Sequence, residues 1–238
     1  SGRCRHRSAS AGTNLTLAAG YLPAGQANQV GGNWWDVFAR PDGATGIAVG
    51  DVTRHGLAAA AATGQLRSDL RTRACAVGGE DLATVLDQMD SLVQDFDMAQ
   101  LATCIYARLQ PPDGPEDGRR TPRPGWSDAG HLPPVVLAPA GTVRLLTGAI
   151  GAPIGVPAIE YRSQQRSPPP VGTTVSPYAD GLIETRGGDI DSGVQRLLAL
   201  VATHRPADGP QALVDRVLSN CAALTDDVAL LAAQVLLP

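Results

Sequence analysis

The stretch Val49-Gly50-Asp51-Val52-Thr53-Arg54-His55-Gly56 joins a strand-like run, Gly46-Ile47-Ala48-Val49, to an alanine-rich segment that begins at about Leu57 and has helix composition. A carboxylate leaving a strand at such a turn is exposed at the sheet's edge while rigid elements hold it from both sides. Metal ligands and catalytic groups need that pre-organisation. Taken alone the pattern is also ordinary loop chemistry, because aspartate caps turns. Its weight comes from the segments around it.

Upstream, Leu15 to Tyr21 is an apolar run, and Gln29-Val30-Gly31-Gly32-Asn33-Trp34-Trp35-Asp36-Val37-Phe38 reads as a strand entered through two glycines. Pro41-Asp42-Gly43 is a turn, so this strand and the one delivering Asp51 form a hairpin that carries Asn33 and Asp36. Of Trp34 and Trp35, one is expected in the core and the other beside a substrate cleft, since neighbours on a strand face opposite ways.

Downstream, residues 57–76 and Asp81 to Phe96 read as helices. The second carries an apolar stripe of Leu82, Val85, Leu86, Met89, Leu92, Val93 and Phe96, expected to face a core. Strands are expected at 102–109, 125–128, 135–137, 142–146, 173–178 and about 228–235, and helices at about 191–204 and 210–223. Pro111 to Pro124 reads as a lengthened hairpin loop, 148–157 as a Gly/Pro loop, and 161–170 as an edge strand or exposed loop. Hairpin-linked strands interrupted by helix pairs imply antiparallel sheets covered by helices, an α+β layered domain. Residues 1–14 open on a basic, non-hydrophobic Ser-Gly-Arg-Cys-Arg-His-Arg and are read as a linker, with one domain over 15–238.

Bulk properties narrow the function classes. Of the 238 residues, 43% are hydrophobic and 18% charged, ample for a core. No run approaches the roughly 18 apolar residues of a membrane span, so the chain reads as soluble. A net charge of -4, with arginine as the only basic residue besides four histidines, argues against non-specific nucleic-acid binding. The cysteines, Cys4, Cys75, Cys104 and Cys221, form no CxxC pair, which argues against zinc and for a reduced, intracellular protein. Cys104 is expected in the core.

Three acidic positions share one grammar. Asp51 and Asp180 follow strands, and Asp226 precedes one. If these ends meet, like charges repel or take up protons unless a cation neutralises them. Hard divalent ions suit such all-oxygen sites, and two ions about 3.5–4 Å apart can clamp a phosphate. Residue by residue, turn capping is the commoner role; joint occurrence lifts the metal reading. His55 could donate a proton to a leaving oxygen or simply bond backbone at a helix start. His131, in Ala129-Gly130-His131, reads as structural.

Five segments in order, Gly31-Gly32-Asn33-Trp34-Trp35-Asp36, Gly50 to Gly56, Ala129-Gly130-His131, Tyr178-Ala179-Asp180-Gly181-Leu182-Ile183-Glu184 and Asp226-Asp227-Val228-Ala229-Leu230, resemble the SpoIIE-like branch of the PP2C (PPM) serine/threonine phosphatases from about residue 15 onward. The resemblance implies an α-β-β-α sandwich with a two-metal centre, Mn²⁺ or Mg²⁺, at one end. It implies Asp51 as bridging ligand with the Val52 carbonyl beside it, and Asp180 and Asp226 as further ligands. Asn33 stands where the family has aspartate, so the second metal should bind more weakly. Arg54 stands where the family has glycine, putting a guanidinium beside the phosphate site, either to help hold the phosphate or to plug the second metal site electrostatically. Asp36 is not expected as a substitute ligand.

The implied activity is hydrolysis of a phosphorylated, STAS-type anti-sigma-factor antagonist in the bacterial cytoplasm. An N-terminal sensor domain and homodimerisation belong to the same implied picture. A rival reading, a pseudophosphatase kept for binding, rests on Asn33 and Arg54; a weaker third is a metal-binding sensor.

Overall fold

A computed structural model describes residues 4–6, 15–23, 32–53, 56–76, 81–95, 101–109, 124–156, 161–167, 169–184, 187–221 and 226–236. The first sheet contains β1 (Cys4–His6), β2 (Leu15–Leu22), β7 (Val135–Leu137), β8 (Val143–Leu145), β11 (Thr174–Ser176) and β12 (Val228–Val235), in the order β1-β2-β12-β11-β7-β8. The second contains β3 (Trp34–Ala39), β4 (Thr45–Val52), β5 (Ala102–Leu109), β6 (Gly125–Ala129) and β10 (Gln164–Gln165), in the order β10-β6-β5-β4-β3. A short β9 (Ile150–Gly151) lies parallel to β6, so this sheet is mixed at one place rather than wholly antiparallel.

Helices α1 (Leu57–Ala76) and α2 (Leu82–Asp95) cover the second sheet, and α3 (Ile190–Ala202) and α4 (Gly209–Ser219) cover the first. Asp81 caps α2 by accepting from the Thr84 amide at 3.0 Å, satisfying a donor the helix leaves open.

Three apolar layers follow from the alternation of the strands. Leu66, Leu70, Leu86 and Met89 pack on Ala48, Cys104 and Tyr106 of the second sheet's outer face. Leu197, Leu213 and Val217 pack on Val228, Leu230 and Ala232 of the first. Leu15, Leu17, Ala19, Leu231, Ala233 and Val235 meet Ile47, Val49, Ile105 and Leu109 between the sheets. Leu82, Val85, Leu86, Met89 and Val93 of the α2 stripe, and Cys104, therefore sit in the core, as read from sequence. Burial raises the Cys104 thiol pKa strongly.

Several expectations are corrected. Trp34 is buried under the helices, but Trp35 packs on the inter-sheet layer rather than beside a cleft. The loop over 148–157 holds β9 and a bridge from Ile154 to Ala102; the 161–170 stretch, in agreement with its reading as an edge strand or exposed loop, holds the two-residue edge strand β10. Residues Cys4–His6, within the stretch read as a linker, pair with Ala19–Tyr21. The 111–123 loop and Phe96 lie outside the described residues.

Candidate metal centre

The alternation that sends Ile47 and Val49 of β4 into the inter-sheet layer sends Asp51, two residues on, the same way. Thr103, paired with Asp51, shares the face of Ile105, and Tyr21 shares that of Leu17 and Ala19. The inter-sheet layer thus ends at one pole in polar side chains. Asp180 begins a 3-10 turn, Asp180–Leu182, beyond β11, and Asp226 stands two residues before β12. Asp180 is therefore part of a turn rather than a strand end.

These carboxylates feel one another. Burial first, then the charges of Asp180 and Asp226, push Asp51 up to about 7, against the lowering effect of its contact with the Val52 amide. Asp180 is raised by burial and by Asp226, while the Gly181 amide and the Asn33 side chain hold it back. Glu184 is raised by burial and by the same two aspartates. The sequence reading quoted Glu184 within its motif and gave it no role. Its four-residue spacing from Asp180 was the available signal.

Asn33 is buried, and its Nδ2 donates to the Asp227 carbonyl at 2.7 Å. Its Oδ1 is buried with no hydrogen-bond partner. Preceding it, Gly32 approaches so closely that a Cβ there would lie 2.0 Å from the Val52 carbonyl oxygen and 2.7 Å from Asp51 Oδ1. The Gly32 carbonyl in turn accepts from the Val52 amide at 3.2 Å. Only glycine fits at 32, and it brings the Val52 carbonyl, Asp51 and Asn33 side by side.

Of two further supports, the Tyr21 contact was not foreseen, while His131 has the structural role read from sequence. The Tyr21 hydroxyl donates to Asp227 Oδ2, joining β2 to the strand that follows Asp226, and the Asp227 amide donates to Asp226 Oδ1 at 2.6 Å. His131 bridges the sheets: Nδ1 accepts from Thr103 Oγ1 at 2.8 Å and Nε2 donates to the Tyr178 carbonyl at 3.0 Å. Burial lowers its pKa to about 4, so the ring is neutral, as that pair of bonds requires. Its amide donates to Asp128 Oδ1 at 2.7 Å, and burial pushes Asp128 up to about 7.

Asp36 does not join the centre. Its carboxylate is 1% exposed and held bidentately by Arg71 at 2.5 Å, with Arg67 at 3.3 Å, which ties α1 to β3. Arg54 and His55 lie outside the described residues.

Among the described residues no group of three or more His, Cys, Asp or Glu side chains is disposed to hold an ion as it stands. The donor set nevertheless fits a hard divalent cation. It is all oxygen, it concentrates negative charge that burial destabilises, and it includes an amide oxygen with no partner. A cavity of about 270 Å³ lined by Leu109, Trp126, Val136 and Thr173 lies elsewhere: Leu109 is at the end of β5 remote from Thr103.

Residues 41–236 match the family described as Stage II sporulation protein E (SpoIIE). The chain belongs to the SpoIIE family. Solved relatives have the same fold. The RsbU and RsbW domains of a Mycobacterium tuberculosis protein superpose with a TM-score of 0.78 at 28% identity, over 94% of this chain and 60% of that one. The PP2C phosphatase domain of SpoIIE from Bacillus subtilis, with part of its regulatory domain, gives 0.74 at 13% identity, over 93% of this chain and 63% of that one. The PP2C domain of SiaA from Pseudomonas aeruginosa gives 0.70 at 20% identity, over 93% and 84%. This SpoIIE-family chain thus spans about three-fifths of the first two structures. Among its described residues no helix is long and apolar enough to cross a membrane.

Proposed function

We propose that this SpoIIE-family domain is a metal-dependent phosphatase that hydrolyses phosphoserine or phosphothreonine on a STAS-type anti-sigma-factor antagonist in the bacterial cytoplasm. The observation that carries the reading is the convergence of Asp51, Asp180 and Asp226 on one pole of the sandwich, beside the partnerless Asn33 Oδ1. The family match and the fold shared with RsbU-type and SpoIIE domains support partner-switching regulation. A sensor domain on the N-terminal side and homodimerisation remain part of this proposal.

Asp51, Asp180 and Asp226, with the Val52 carbonyl and Asn33 Oδ1, would hold Mn²⁺ or Mg²⁺. When bound, such ions neutralise phosphoryl oxygens and make water a competent nucleophile near neutral pH. Solved PP2C relatives include a manganese complex of PstP and a magnesium complex of RsbX.

The chain's own residues do the positioning. Gly32 sets the separation of Asp51 from Asn33. The Asn33 amide and the Tyr21 hydroxyl fix the segment that carries Asp226 through Asp227. Neutral His131 keeps the strand opposite Asp51 at a fixed distance from the chain entering Asp180. Glu184 adds negative charge that favours cation capture. As the P–O ester bond breaks, His55 is assigned to protonate the departing serine oxygen, and Arg54 to contact the phosphate.

The test is hydrolysis of p-nitrophenyl phosphate across a Mn²⁺ titration, for the parent beside Asp180→Ala. Turnover that saturates with Mn²⁺ and disappears in Asp180→Ala supports the reading; silence in the parent at every Mn²⁺ concentration refutes it. One observation favours the second reading, a pseudophosphatase. The Asn33 amide is already committed to holding the Asp227 carbonyl, a structural duty that needs no metal.

A further inference from the structure

We propose that the cleft between the Asp180–Leu182 turn, α3 and the C-terminal end of α4 receives an apolar side chain flanking the phosphoserine of the protein substrate. The inference rests on the phosphatase reading and adds to it how the substrate is held. The cleft has a volume of about 420 Å³, within the roughly 300–1,000 Å³ of ligand pockets. Its walls include Gly181 and Leu182, the residues that follow Asp180 in the same turn. One turn of chain therefore presents Asp180 to the carboxylates and Leu182 to the cleft, so a polypeptide at the metal centre has the cleft directly beside it. Glu184, on the cleft's rim, is within electrostatic reach of both Asp180 and Asp226.

The floor is rigid. A Cβ on Gly193 would lie 2.2 Å from the Ile183 carbonyl oxygen, so α3 sits directly on the chain leaving the turn. Leu197 and Val217 are buried at the base, while Leu182 and Leu200 are only partly covered and line the opening. Arg196 is exposed at the rim, with one N–H group on the Ile183 carbonyl at 3.3 Å. The leucines of the walls fit a leucine-like anchor, and the rim carries both a cation, Arg196, and a carboxylate, Glu184, so an acidic residue of the segment fits beside Arg196 and not beside Glu184. A lipid or a small metabolite would gain nothing from adjacency to Asp180; a flanking peptide segment gains a second point of attachment.

The experiment uses the Mn²⁺-loaded chain and phosphoserine nonapeptides of glycine and alanine, with a single leucine stepped through the other eight positions. p-Nitrophenyl phosphate is run in parallel. Leucine at one or two adjacent positions is expected to raise kcat/KM about tenfold, the gain that burying one such side chain supports. Leu200→Gln should erase that preference and so lower the ratio of peptide to p-nitrophenyl phosphate turnover. A second variant guards against misfolding of the first. In a second peptide pair, which keeps leucine at its preferred position and carries glutamate or arginine beside it, Arg196→Glu should move the preference from glutamate to arginine by about threefold, the scale of a rim ion pair. Peptide rates that agree within twofold at all positions overturn the inference while leaving the phosphatase standing. So do variants that lower peptide and p-nitrophenyl phosphate turnover equally. Silence toward every substrate refutes the phosphatase reading, and this inference with it.

Discussion

Replacing Asn33 by aspartate supplies the residue type that the family resemblance implies at this position, and from sequence it should simply tighten metal binding. The structure makes the outcome two-sided. The Asn33 Nδ2 donates to the buried Asp227 carbonyl at 2.7 Å, and a carboxylate would turn an acceptor toward that oxygen. Stranding a buried acceptor costs about 1–3 kcal/mol. The new charge would also join Asp51, Asp180 and Asp226, whose negative charges already raise the pKa of Asp51 and of Asp180. Without metal, Asn33→Asp should therefore be less stable than the parent by about 2–4 kcal/mol, combining the stranded acceptor with added repulsion.

At about 2–4 °C of Tm per kcal/mol for a domain of this size, the loss should be roughly 4–16 °C. With Mn²⁺ the order should reverse or close, because ligand at about 100 times Kd adds about 2.7 kcal/mol and the variant binds more tightly. Thermal unfolding by circular dichroism, in EDTA and across a Mn²⁺ series, reads both effects. A variant as stable as the parent in EDTA, or one gaining no more from Mn²⁺ than the parent does, would refute the reasoning.

Gly32→Ala should lose Mn²⁺-dependent turnover and about 1–3 kcal/mol of stability in a urea melt, since its Cβ would meet the Val52 carbonyl at 2.0 Å. Arg71→Ala should cost about 3 kcal/mol in the same melt, leaving Asp36 buried with the Arg67 contact at 3.3 Å as its one remaining ion pair among the described residues, beside the Val37 amide at 3.0 Å. Asp36→Ala should cost less, because Arg71 is half-exposed and can return to water. His131 has a folded pKa of about 4 against 6.5 unfolded, so between those values the unfolded chain binds more protons and stability falls with falling pH. Asp51 and Asp128 are raised to about 7 and act in the opposite direction, so the comparison is parent against His131→Gln. The variant should lose the His131 part, so between pH 7 and 4 it should gain roughly 3 kcal/mol of stability relative to the parent, read by chemical denaturation at each pH.

The elements were legible because their signals are local. Short apolar runs mark β4 and β5, and the stripe from Leu82 to Val93 marks α2. The positions of Asp51 and Asp180 were legible for the same reason: an aspartate closely following an apolar run needs no distant partner to be noticed. What the sequence hid is whatever depends on two remote segments meeting. Nothing local tells that Trp35 faces the other sheet, that Ile154 pairs with Ala102, or that Arg71 is spaced along α1 to reach Asp36. The Asn33 amide is the sharpest case. Its identity suggested a lost ligand charge, whereas its bond to Asp227 shows a donor that an aspartate could not replace.

The hydrogen bonds that steady this pole join residues very far apart in the chain: 194 positions separate Asn33 from Asp227, and 206 separate Tyr21 from Asp227. Strand β12 lies between β2 and β11, so its early partner must wait for it. Loop closure of that length comes late in folding and slows it. No fragment confined to either half of the molecule can assemble the centre, and a nascent chain carrying β2 alone shows an open strand edge to its surroundings. If the centre binds metal as proposed, metal competence reports that the whole domain has been made and folded, and a partly built copy stays silent rather than weakly active.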